Sequence, residues 1–116
     1  MQNFLKIVED DIIIEVVNLV RATKEQADEF KSILLNLIEE GNTKIIVDLH
    51  QCDFVDSTFL STLLIALKAV MKKGGSIKIA SPKNEVAEVL EATGMRKVFE
   101  VHISVAETVK SFNSTV

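Results

Sequence analysis

The side chains of this chain that could do chemistry are concentrated in one stretch, Asp48-Leu49-His50-Gln51-Cys52-Asp53-Phe54-Val55-Asp56-Ser57-Thr58-Phe59-Leu60. Ser57, His50 and Asp56 supply the residue types of a nucleophilic triad, which would make a small hydrolase. The serine lacks the flanking glycines of a strained strand-to-helix elbow, however, and nothing in the spacing orients the histidine, so that reading is disfavoured. Cys52 stands next to Asp53, whose negative charge raises a thiol pKa, so an inert loop or buried thiol is expected. A lone cysteine can form neither an internal disulfide nor a multi-thiolate zinc site. His50 and His102 have no paired metal spacing and read as strand-end surface residues, so neither metal nor cofactor is expected. Gly74-Gly75 ends a helix ahead of a strand, whereas a phosphate-cradling loop would open one. What remains is Asp56-Ser57-Thr58, residue types that cap helix starts and also place a hydroxyl where a phosphate can be carried.

The elements that must position this segment follow from periodicity. Residues 4–8 and 12–17 are β-branched-rich runs around Glu9-Asp10-Asp11 and predict an N-terminal hairpin. Thr23 with Gln26 has capping-box spacing, and Ala27, Phe30, Leu34, Leu37 and Ile38 recur at helical intervals until Gly41, predicting a helix over 24–40. Residues 44–49 form an apolar, central strand feeding the polar loop 50–56. A second helix over 57–72 carries Leu60, Leu63, Leu64, Leu67, Val70 and Met71 as its core stripe. A strand at 76–80 follows. Ser81-Pro82 then caps and starts a third helix ending at Gly94, with Val86 and Leu90 inward. A strand at 98–103 and a helix from Ser104 to Phe112 complete the order, leaving 113–116 as a frayed tail. Helices between strands require parallel crossovers and the hairpin is antiparallel, so the fold class is α/β with a mixed sheet and four helices.

At 116 residues with 47% apolar side chains, the chain makes one domain, spanning 1–112, with a core large enough to need no metal or disulfide. The net charge of −4, with 13 basic and 17 acidic residues spread along the chain, argues against nucleic-acid binding. No secretory leader is read at the start, and the longest nearly uncharged run, 59–67, falls well short of the about 20 residues that cross a bilayer. With its single cysteine, the chain is expected to be cytoplasmic.

On a helical wheel the core stripe of 57–72 leaves Phe59, Thr62, Ile65, Ala66 and Ala69 on flanking and outer positions, with Lys68 and Lys72 on the other flank. An uncharged strip beside a helix-start hydroxyl is what a partner surface needs.

Val47-Asp48-Leu49, then Phe54-Val55-Asp56-Ser57 and Leu60, resemble the STAS domain family of anti-sigma factor antagonists. The similarity runs from the hairpin through the two-glycine turn, Ile77-Lys78-Ile79, Ser81-Pro82, Thr93-Gly94-Met95 and the closing Phe99. The resemblance implies a non-enzymatic domain that binds an anti-sigma factor, itself a serine kinase, and is released once the serine matching Ser57 is phosphorylated. It implies regulation of sigma-factor-dependent transcription, and a phosphatase would reset the switch. Asp56 and Thr58 would shape the helix start; Phe59, Thr62 and Ile65 would touch the partner, with Cys52 and Asp53 at the rim. Two positions depart from the family pattern. Phe59 stands where the family usually has glycine, which would narrow kinase access or define a different partner. Asn18-Leu19-Val20-Arg21 replaces Gly-x-Leu-Asp, so that Arg21 puts a base where an acid is common. Arg21 is either a solvated turn residue or a charge modulator that pairs with Asp56 or with phosphoserine. The alternative is a phosphorylation-independent scaffold or adaptor in a signalling or transport assembly, with Phe59 at a permanent interface.

Overall fold

The computed structural model describes residues 2–114. The chain forms β1 (Phe4–Glu9), β2 (Ile12–Val17), β3 (Arg21–Ala22), α1 (Lys24–Glu39), β4 (Lys44–Asp48), β5 (Phe54–Val55) and α2 (Ser57–Met71). It continues with β6 (Ser76–Ala80), α3 (Asn84–Ala92), a 3₁₀ turn at Met95–Lys97, β7 (Val101–His102) and α4 (Val105–Asn113). The five-stranded sheet has the order β1-β2-β4-β6-β7; β1 is antiparallel to β2 and the other pairings are parallel. The expected α/β class, hairpin, mixed sheet and four helices are all present.

The hairpin turns at Asp10, whose φ of 53° lies in the left-handed region that Asp tolerates better than most residues. The α1 start is the predicted capping box, Thr23 and Gln26 satisfying each other's end groups. All five of its predicted core residues are buried. β4 and β6 are covered on both faces, which is why they read as nearly continuous apolar runs. The larger core lies between the sheet and α1, α2 and α3, and a smaller one, built on Ile12, Ile14, Ile46 and Val109, lies under α4. Gly75 is required by close approach: a Cβ there would collide with the Thr43 carbonyl oxygen, where the α2–β6 and α1–β4 turns meet.

Several expectations are corrected. The strand predicted at 98–103 is only Val101–His102, because Gly94, at φ 76°, feeds a 3₁₀ turn that buries Met95 and Phe99. The third helix is not capped by Ser81-Pro82; Ser81 adopts φ 62° and donates its N–H to His102, and Lys83 becomes the cap residue. α4 runs one residue past the predicted end, and Thr115 and Val116 of the predicted tail lie outside the described residues. The pair β3–β5, parallel and two residues long on each side, was not expected.

The stripe predicted for α2 is rotated. Phe59, Leu60, Thr62, Leu63, Ala66, Leu67 and Val70 are buried, whereas Met71 is 61% exposed. The helix packs against both the sheet and α1, so two of its faces are interior. Phe59 is wholly buried, stacked on Phe30 of α1 at 5.0 Å, and Phe30 stacks in turn on Phe4 of β1 at 4.6 Å. The apolar strip read as a partner surface is therefore mostly the α1–α2 interface.

Candidate functional site

Ser57 is the first residue of α2 and is exposed. Its position is set by Asp56, whose Oδ1 accepts the Phe59 N–H at 2.8 Å and whose Oδ2 accepts the Lys24 N–H at 2.9 Å. One carboxylate thus caps α2 and ties down the first residue of α1, so that two helix N-termini converge beside the serine. The β3–β5 pair brings this about: Ala22 lies opposite Val55, and the Asp56 N–H donates to the Ala22 carbonyl. Asp56 is therefore a positioning residue, its oxygens already occupied by backbone donors. Thr58 is exposed beside Ser57, and Ser61 one turn on donates back to the Ser57 carbonyl at 3.0 Å.

The other predicted contact residues divide. Ile65 is 46% exposed on the outer side of α2, and Asp53 is exposed in the loop. Phe59 and Thr62 are buried and cannot meet a partner in this fold; the Thr62 hydroxyl is spent on the Phe59 carbonyl at 2.7 Å. Cys52 is buried rather than at a rim. Burial, helped by the Asp48 charge, pushes its thiol up to about 12, which keeps it protonated and unreactive. Ser57, His50 and Asp56 are not assembled as a triad: His50 Nδ1 pairs with Asp48 at 2.8 Å, and Asp56 faces backbone amides.

Arg21 does not pair with Asp56. Its guanidinium lies 4.3 Å from the centroid of the Phe54 ring, its neighbour across β3–β5, in a cation–π stack. Both residues are exposed, Phe54 by 38%, so they present a flat, charged aromatic plate next to the serine-bearing turn. Asp53 forms an ion pair with Lys83 at the start of α3, and this bond holds the Lys83 ammonium above the usual lysine range. Phe54 and Lys83 were missed as site residues. The arginine-to-phenylalanine stack was legible only to a reader who had paired 21–22 with 54–55, and two-residue strands leave no periodic signal.

Comparisons place this geometry among known proteins. A protein of Thermotoga maritima named a candidate anti-sigma factor antagonist is 27% identical over 102 residues, covering 87% of this chain and 89% of its own. The crystal structure of a candidate anti-sigma factor antagonist from the same organism superposes with a TM-score of 0.89 at 24% identity, over 96% of this chain and 95% of that one. The anti-sigma factor antagonist SpoIIAA in its unphosphorylated form has a TM-score of 0.83 at 16% identity, over 97% and 98% of the two chains. The STAS domain profile matches residues 7–111, and with the sheet order, the α2 turn and these relatives in agreement, the chain belongs to the STAS domain family.

Proposed function

We propose that this chain is an anti-sigma factor antagonist whose state is set at Ser57. Unphosphorylated, the domain, residues 1–112, binds an anti-sigma factor that is also a serine kinase, leaving the sigma factor free for transcription in the cytoplasm. The kinase transfers the γ-phosphoryl group of ATP to Ser57 Oγ, which loses its proton as ADP leaves, and the phosphorylated domain is released until a phosphatase hydrolyses the ester.

The observation that carries this reading is an exposed serine at the first position of a helix whose start is held by a different residue, Asp56. A phosphate there adds about −1.5 to −2 charges. The helix accommodates it, because the N-terminal amides and the macrodipole favour an anion. Capping does not depend on the serine hydroxyl, so modification leaves the fold intact. A partner packed over Phe54, Thr58 and Ile65 meets a new desolvation and repulsion cost beside Asp53. The switch thus acts on the interface. Arg21, clamped on Phe54, offers a planar fork that tempers the added charge, as the acid common in the family could not.

The test is incubation with the kinase and ATP followed by mass spectrometry, with capture of the partner by wild type, Ser57→Ala and Ser57→Asp. Phosphate on Ser57, capture by the alanine variant and loss of capture by the aspartate variant are expected. An unmodified Ser57, or full capture by Ser57→Asp, would leave a phosphorylation-independent adaptor in its place.

A further inference from the structure

We propose that β1 is a self-association edge, through which a second copy of this chain pairs antiparallel to form a closed dimer with a continuous ten-stranded sheet. The two edges of the sheet differ. β7 has only two residues, which is one way proteins blunt an edge. β1 has six, pairs with β2 without a bulge, contains no proline, and exposes Leu5 by 40%, Ile7 by 50% and Val8 by 60%.

The hydrogen-bonding direction of this edge follows from its register. Phe4 lies opposite Val17 and Glu9 opposite Ile12, and the two-residue turn makes Glu9 and Ile12 a hydrogen-bonded pair. The Asn18 N–H to Asn3 carbonyl bond of 2.8 Å continues the same alternation at the far end. Residues 3, 5, 7 and 9 are therefore turned toward β2. The backbone N–H and C=O groups of Phe4, Lys6 and Val8 point away from the sheet, unpaired.

A two-fold axis normal to the sheet at Ile7 satisfies the groups of Lys6 and Val8, while Phe4 falls opposite Asp10 in the turn of the second copy, beyond its strand. Lys6 and Val8 of the second copy then exchange both backbone bonds, as do Val8 and the second Lys6, and the two Ile7 side chains meet at a close, non-hydrogen-bonded site. Charge selects the same orientation. Lys6 stands near one end of the strand and Glu9-Asp10 at the other; antiparallel copies set Lys6 diagonal to the second Asp10 as well as to the second Lys6, while parallel copies in register would set Lys6, Glu9 and Asp10 each directly opposite its own like charge. Since the opposite edge is two residues long, assembly stops at two.

Sedimentation velocity on the whole chain over a rising concentration series tests this. The mass is expected to climb from 12.9 kDa toward twice that value, and Ile7→Lys, which puts two ammonium groups face to face, is expected to remain monomeric. Register is tested with Ile7→Cys. Oxidised glutathione takes two electrons and two protons from the facing thiols, giving one disulfide and two reduced glutathiones. Paired Cα atoms at such a site are about 4.5 Å apart, within disulfide range. In the same register two Leu5→Cys residues lie about 14 Å apart and do not link. Cys52 is sealed in the core and adds no background. A wild type that stays monomeric throughout, growth beyond a dimer, or equal cross-linking from position 5 would each overturn the proposal.

Discussion

At the scale of single residues, the site depends on a carboxylate rather than on the serine it presents. Asp56 accepts backbone bonds from Phe59 and from Lys24, so its loss strips a cap from α2 and releases the first residue of α1. Asp56→Ala is expected to lower stability in urea melts by about 2–3 kcal/mol, more than loss of a single cap. Ser57→Asp, by contrast, puts an anion at a helix start and is expected to change stability by no more than about 1 kcal/mol, in the stabilising direction. Glu15 contributes with opposite sign. It is 3% exposed on β2 beside Val47, and burial raises its carboxyl above the ordinary 4.5, only partly offset by Lys6 opposite. Because the folded state holds this proton more tightly than the unfolded chain, stability falls as pH rises from 4.5 through the raised value. Glu15→Gln is therefore expected to raise the urea midpoint at pH 7, with the gain vanishing below the unfolded carboxyl range. A variant with equal gains at pH 4 and pH 7 would contradict this.

At the scale of elements, α2 is held by the aromatic stack of Phe4, Phe30 and Phe59, which joins β1, α1 and α2. Phe59→Ala is expected to cost about 3–5 kcal/mol by thermal or chemical melts, and Phe59→Leu much less. Where the family usually has glycine, this chain thus places a core side chain and not a gate over the serine. The α1 helix was legible residue by residue, because it has one buried face and a sequence-local capping box. The α2 face was misread because it is buried on two sides; a helix apolar around most of its circumference does not say which apolar residue meets which neighbour.

At the scale of the whole molecule, loops following β2, β4 and β6 converge at the end of the sheet that carries Ser57, as the Asp53 N–H bond to Val20 and the Asp53–Lys83 pair show. That convergence makes one surface out of segments about 30 residues apart in the chain. Local pattern determined the α/β class, the hairpin, the four helices and the place of Ser57 at a helix start, since capping chemistry and periodicity act over a few residues. Tertiary structure alone decided that Phe59, Thr62 and Cys52 are interior, that Asp56 serves two helices, and that Arg21 rests on Phe54. Each depends on a contact between residues distant in sequence, where exposure is set by what the rest of the chain packs on top, and no local spacing encodes that.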